Sequence, residues 1–308
     1  MRRAWVLVLA MTGCTFRVIP IDVTSRDMSV PDLAVSDGFV PPDLSMEPDL
    51  AGDLAGAATC NDGIKNGSET ATDCGGPMCK RCSAGQMCLA PTDCLSGICE
   101  GSCAAGLVAW WAFNEGSGTT ASDSSGNAHH GMLLGGPSWT AGKVGTGLQF
   151  GGSLTRVSVP HHSQLDLTSG LTISAWVTAA TLPAWSGVLM KATDSTWTDG
   201  YGLYHRDVAG PMCGYVVSLF YANACATLAL DASFHHLVVS YDRTSVRTYL
   251  DGSLVQTTPA TNAVIANTAS LLIGMAAGGY TWDGKIDEVR LFDRALSLAE
   301  IQDLFTNP

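Results

Sequence analysis

Eight cysteines crowd between Cys60 and Cys103: Cys60, Cys74, Cys79, Cys82, Cys88, Cys94, Cys99 and Cys103. The stretch holds few large apolar residues, so burial alone cannot offset the entropy of ordering it. Cross-links are the usual remedy in a small secreted module. An even count fits four bridges, although eight cysteines permit on the order of a hundred pairings and sequence does not choose. Zinc is the competing use. Cys79 and Cys82 form one Cys-x-x-Cys pair, but no second pair stands at ribbon spacing. Disulfides are therefore expected. Asp62, Asn66, Glu69 and Asp73 could gather around calcium, but they miss the EF-hand spacing, and turn formation explains them as well.

The first residues set the compartment. MRRAWVLVLAMTGC joins a positive start, a short apolar run and Gly13-Cys14. It resembles the lipobox of bacterial lipoproteins, with Met11 where that pattern prefers Leu. The resemblance implies a signal peptide over 1–13, cleavage before Cys14 and a lipid on its sulfur. Thr15, rather than Asp, leans towards the outer membrane. The expected place is the cell envelope, as an outer-membrane lipoprotein that is surface-exposed or periplasmic. Its membrane contact is then the lipid alone, since no later run is long and apolar enough to span.

Residues 14–59 read as a flexible linker. Pro-Asp-Leu recurs at Pro31–Leu33, Pro42–Leu44 and Pro48–Leu50. Eight acids (Asp22, Asp27, Asp32, Asp37, Asp43, Glu47, Asp49, Asp53) face two arginines (Arg17, Arg26), a balance of −6. Proline and like charge favour an extended spacer. The whole chain carries −12, which argues against a phosphate-backbone binder. The cysteine-rich module spans 60–104. Its run CNDGIKNGSETATDCGGPMCKRC resembles a repeat of bacterial surface lipoproteins, with Ala71 where that repeat has Asp.

From 105 to 308 short β-type runs alternate with turns: Leu107–Phe113, Leu171–Ala179, Tyr201–His205, Tyr215–Tyr221, His235–Tyr241, Val246–Leu250, Ser270–Gly274 and Lys285–Phe292. Asp251-Gly252 is a two-residue hairpin signal. Ser297–Phe305 reads as a helix, with Ser297 and Glu300 as a capping box and Leu298, Ile301, Leu304 and Phe305 on one face. The expected fold is all-β: a two-sheet antiparallel jelly-roll sandwich with a short C-terminal helix. Six ordered blocks (GLVAWWAFNEGSGTTASDSSGNAHHG, LTISAWV, FHHLVVSYD, TYLDGSLV, LLIG and GKIDEVRLFDRALSLAEI) resemble the laminin G-like, concanavalin A-like jelly rolls of secreted bacterial proteins. The resemblance implies a sandwich but no single activity.

Catalysis is not expected. Asp287 and Glu288 are adjacent, and a regular strand sends neighbours to opposite faces, so they cannot flank one glycosidic bond. No Gly-x-Ser-x-Gly elbow occurs. The pairs His129-His130, His161-His162 and His235-His236 read as structural rather than metal-binding. Cys213 and Cys225 are expected to form a fifth disulfide. Among the aromatics, Trp110 and Trp176 read as core. Trp185, Trp197 and Trp282, with Tyr280, sit in loop-like sequence suited to stacking on sugar, and Leu182–Gly200 reads as a binding rim. Calcium is the one cofactor considered, held by Asp287 with Glu115 and Asp123. That expectation has Asp287 sharing a face with Val289 and Leu291, where a buried charge needs a partner. The expected function is lipid-anchored binding of carbohydrate or glycoprotein. A structural or protein–protein module of the envelope is the alternative, and a polysaccharide hydrolase ranks last. Oligomeric state is not legible.

Overall fold

The computed structural model describes residues 60–181, 183–207, 210–217, 221–227, 230–261 and 263–308. The expected signal peptide, Cys14 and the 14–59 linker lie outside the described residues.

In the cysteine-rich module the bridges are Cys60–Cys79, Cys74–Cys82, Cys88–Cys99 and Cys94–Cys103. Each consecutive set of four cysteines is thus interleaved, first to third and second to fourth. Cys74, Cys82, Cys88, Cys94 and Cys103 are themselves the buried cluster, so the cross-links replace the missing core. The polar residues of this stretch organise its turns. The Asp73 carboxylate accepts from the backbone N–H groups of Asp62 and Gly63, and Glu69 accepts from those of Asn66 and Asp73.

Beyond the module the strands are β1 (Leu107–Trp111), β2 (Thr120–Ala121), β3 (Gly131–Leu134), β4 (Ser138–Ala141), β5 (Thr146–Phe150), β6 (Arg156–Val159), β7 (Leu171–Val177), β8 (Gly187–Lys191) and β9 (Tyr201–His205). They continue as β10 (Met212–Val217), β11 (Tyr221–Ala226), β12 (His235–Tyr241), β13 (Ser245–Leu250), β14 (Ser253–Pro259), β15 (Leu271–Ile273), β16 (Met275–Ala276), β17 (Tyr280–Thr281) and β18 (Gly284–Phe292), before helix α1 (Leu298–Thr306). One sheet runs β14-β13-β12-β7-β18-β5-β4, with β1 also on β18; the second runs β11-β10-β9-β8-β15-β6-β3-β2. All pairings within them are antiparallel. The main core includes Ile173, Leu237, Val239 and Leu291 from the first sheet and Val157, Leu189, Leu203 and Ile273 from the second. The sandwich is therefore the expected all-β fold, with its one helix at the C-terminal end.

The Asp251-Gly252 hairpin joins β13 to β14 with φ of 48° and 74° at its two residues, the signs a type I′ turn requires. Helix α1 carries the capping box read from sequence: Ser297 Oγ accepts from Glu300 N–H, and Glu300 Oε2 accepts from Ser297 N–H. Ile301 and Leu304 are buried, but Leu298, at the first position of the helix, is exposed.

Three expectations need correction. The run Tyr215–Tyr221 is not one strand; β10 and β11 are two antiparallel strands in which Tyr215 pairs with Asn223. The small residues of β11 hid it from a β-branched signal. The supposed loop Leu182–Gly200 contains β8, a five-residue buried strand. Third, β18 is not regular at Asp287-Glu288. Glu288 has φ of 50°, and the register against β7 shifts between Asp287 and Arg290. This bulge inserts one residue and breaks the alternation. Ile286, Val289 and Leu291 face the core, whereas Asp287 stands beside Trp176 on the opposite side of the sheet.

Candidate functional site

The outer face of the second sheet carries an aromatic pocket. In β9, Leu203 enters the core, so alternation turns Tyr204 outward; in β10 the same rule turns out Cys213 and Tyr215. Trp197, from the turn after β8, covers them. Its ring centroid lies 4.7 Å from that of Tyr204 and 5.8 Å from that of Tyr215. Its Nε1–H donates to Ala277 O at 3.0 Å. The Tyr215 hydroxyl donates to Asp199 O, so the floor is fixed by hydrogen bonds as well as packing. Burial pushes the Tyr204 phenol up to about 12, which keeps it protonated and neutral.

The rim is formed by Trp185, 38% exposed, and Tyr280, 41% exposed. Trp185 lies nearly parallel to Tyr204, at 10° and 6.2 Å, and edge-on to Trp197 at 5.8 Å. Ser195, Thr196 and Asn223 complete a pocket of about 270 Å³, whose lining carries no charged side chain. That volume lies just below the roughly 300–1,000 Å³ typical of ligand pockets. The Asn223 side-chain oxygen is buried and has no hydrogen-bond partner among the described residues.

Both indoles stand on left-handed backbone, Trp185 at φ 67° and Trp197 at φ 51°. Non-glycine residues avoid this region, and such strain concentrates where geometry serves a site. Gly278 leaves the rim its room: a Cβ there would come within 2.7 Å of the Tyr280 ring and 2.9 Å of Ser195 Cβ. The Cys213–Cys225 disulfide joins paired residues of β10 and β11, two positions from Tyr215 and Asn223, and so braces the floor.

The structure brings Trp185 and Trp197 together and leaves Trp282 apart. Trp282 is fully buried in the main core with Nε1–H donated to Thr178 O, so no ligand can reach it. The aromatic run that looked like loop is followed at once by β18, and the indole packs inward. Tyr204, Tyr215 and Asn223 were missed. The usable signal was the i, i+2 spacing of Cys213 with Tyr215 and of Asn223 with Cys225, which puts each pair on one face.

The three carboxylates considered for calcium are not gathered. Glu115 accepts from Ser122 N–H; Asp123 accepts from the N–H groups of Trp110, Ser125 and His129. Asp287 accepts from those of Lys143, Val144 and Glu288. Asp123 and Asp287 thus each gather three backbone N–H donors, some from segments distant in sequence, whereas Glu115 Oε2 is buried with no hydrogen-bond partner among the described residues. Among the described residues, the groups of three metal-type side chains with converging ligand atoms are Cys88/Cys94/Cys103 and Cys60/Glu69/Cys79, and their cysteines are all disulfide-bonded. The bulge also overturns the divergence expected for Asp287 and Glu288. Glu288 accepts from Trp110 Nε1–H at 2.9 Å on the outer face of the first sheet, where Asp287 also stands. Both are almost fully buried, at 0% and 1% exposed.

Residues 151–302 match the concanavalin A-like lectin/glucanases superfamily, as its Laminin_G_3 family. The C-terminal part of the chain is a concanavalin A-like, laminin G-type jelly roll. The match begins after β5, so the first five strands of the jelly roll lie ahead of it. Domain 4 of AbnA, a GH43 extracellular arabinanase from Geobacillus stearothermophilus solved in complex with arabinotriose, aligns at TM-score 0.55 and 21% identity. That alignment covers 65% of this chain and 98% of that one. The binding domain of Paraclostridial Mosquitocidal Protein 1 (TM-score 0.53, 14% identity) and the botulinum neurotoxin serotype G binding domain (0.54, 11%) are each covered by 65% of this chain. The chain spans about half of those two, 52% and 50%. At these identities the likeness is one of fold. No curated protein sequence matches the chain.

Proposed function

We propose that the jelly roll is a carbohydrate-binding domain and that the aromatic pocket is its binding site. The observation that carries this reading is the half-open pair Trp185 and Tyr280 above a rigid floor of Trp197, Tyr204 and Tyr215. Sugar rings present apolar C–H faces that pack on aromatic rings, while their hydroxyls need a few placed polar groups. Ser195, Thr196 and Asn223 are such groups. The uncharged lining suits neutral sugars better than sialic or uronic acids, and the small volume suits one ring or a chain end. The arabinotriose held by the AbnA domain is consistent with this class of ligand.

The chain then serves binding, not hydrolysis. The adjacent acids Asp287 and Glu288 are buried on the first sheet, and the pocket lining on the second has no carboxylate. Lipidation at Cys14 and display from the outer membrane over the 14–59 linker belong to the same proposal, supported by the N-terminal sequence. A glycan-array screen of the purified chain tests the reading: binding confined to neutral glycans and lost in Trp185→Ala supports it. Binding unaffected by Trp185→Ala would place the site elsewhere.

A further inference from the structure

A buried lysine stands apart from the pocket and from the core. Lys191 ends β8 with its side chain 1% exposed. Its Nζ lies 3.0 Å from Asp166 Oδ1, 2.5 Å from Asn267 O and 3.1 Å from Asn267 Oδ1. Asp166 follows the turn Ser163–Leu165, and Asn267 precedes β15, so three distant segments meet on one amine. On the far side of the Asn267 amide, Nδ2 donates to Asp199 Oδ1 at 2.9 Å and towards Lys191 O at 3.4 Å. The backbone N–H of Ala269 donates to Asn267 Oδ1 at 3.0 Å. Gly200 makes room for the amide: a Cβ there would lie 2.8 Å from Nδ2.

An ion pair alone needs Lys191 and Asp166. The remaining groups have the layout of an acyl transfer at the Asn267 side-chain amide. An amine is held against the carbonyl with a carboxylate beside it, an N–H sits on the oxygen where negative charge would develop, and a second carboxylate holds the leaving nitrogen. We infer that Lys191 and Asn267 join in an intramolecular isopeptide bond. Asp166 takes a proton from the Lys191 ammonium. The freed amine attacks Asn267 Cγ, and the oxyanion on Oδ1 rests on Ala269 N–H. The attacking nitrogen loses a second proton, which passes to Nδ2 with Asp199 orienting that nitrogen. The Cγ–Nδ2 bond breaks and ammonia leaves, carrying off the Asp166 proton as ammonium. Five hydrogens on the two starting nitrogens become one on the new amide and four on ammonium. No oxidant or co-reactant is required.

The bond would tie the end of β8 to the segment before β15, 76 residues away, next to the turn that carries Trp197. It owes nothing to what the pocket binds. The test is peptide mapping of the purified full chain after reduction, alkylation and proteolysis. The expected product is a branched peptide joining Lys191 to Asn267, lighter by one ammonia than its two separate components. In Asp166→Asn the two peptides are expected to appear unlinked. Should that variant not fold, amine labelling of the denatured wild type decides, with Lys191 expected to resist the reagent. Separate wild-type peptides with Lys191 freely labelled would overturn the inference, and a full yield of linked peptide from folded Asp166→Asn would overturn the role given to Asp166.

Discussion

Arg81 of the cysteine-rich module lies over the indole of Trp110 in β1, its guanidinium carbon 4.7 Å from the ring centroid. Arg290 of β18 lies over the same ring at 4.8 Å, and Trp110 Nε1–H donates to Glu288. Ile98 of the module is buried with Val238, Phe292, Ile301 and Leu304. The module is thus packed onto the outer face of the first sheet, together with α1. Beneath it Arg290 is fully buried. Its Nη2 sits 2.7 Å from Glu288 Oε2 as an ion pair, yet its guanidinium nitrogens make no in-line hydrogen bond among the described residues. Beneath the module, loss of the Glu288 carboxylate would leave the buried Arg290 charge uncompensated, which is costly.

The Arg81 contact should be worth about 0.5–2 kcal/mol, the range for partly desolvated cation–π pairs. A double-mutant cycle with Arg81→Ala and Trp110→Leu, read by denaturant unfolding, should return a coupling of that size. A coupling indistinguishable from zero would mean that the module rests on Ile98 and its apolar neighbours alone.

Two buried groups on the outer face of the first sheet should pull the pH profile in opposite directions. Burial raises the Asp287 carboxyl to about 7, with Glu288 adding and three backbone N–H donors opposing. The folded state therefore keeps a proton that the unfolded state releases above 3.8, and this contribution to stability fades as pH rises towards 7. Burial lowers His236 to about 3, with Arg290 and Lys143 adding. Its contribution is present above 6.5 and fades as pH falls towards 3. Between 3.8 and 6.5 the two slopes oppose. Relative to wild type, Asp287→Asn should make stability rise more steeply with pH there, and His236→Gln should make it fall. Unfolding midpoints measured across that window check both signs; two variants with the wild-type profile would contradict them.

The Cys213–Cys225 bridge should matter to stability and to the pocket together. Replacing both cysteines by alanine should cost about 2–4 kcal/mol and should weaken sugar binding, because β10 and β11 present Tyr215 and Asn223. Calorimetry and ligand titration of the double variant check this. Full affinity at reduced stability would show that the floor holds without the bridge.

The anchor has its own test. Cys14→Ala should shift the protein from the membrane fraction to the soluble one. Unchanged membrane association would remove the lipid from the account.

The sequence was most legible where one residue type has one use. Paired cysteines, Asp251-Gly252 between two β-rich runs and Ser297 with Glu300 each announced a feature that the structure contains. It was least legible where tertiary context decides. The bulge at Glu288 has no local signature, since neither Asp287 nor Glu288 is a glycine, so period-two alternation assigned Asp287 to the wrong face. β11 was lost because Ala222, Asn223, Ala224, Cys225 and Ala226 lack strand propensity and owe their conformation to pairing with β10. Of the pocket, Trp185 and Trp197 were visible as loop tryptophans. Trp282 misled because a short segment before a long core strand can bury its indole as readily as display it.

The central claim is that a neutral sugar binds at the aromatic pocket. Isothermal titration of the best glycan-array hit into wild type, Trp185→Ala and Tyr280→Ala measures it most directly. The account predicts saturable wild-type binding, with at least a tenfold loss for Trp185→Ala and a smaller loss for Tyr280→Ala, both proteins keeping the wild-type melting temperature because these rings are half-exposed. Wild-type affinity in both variants would contradict it.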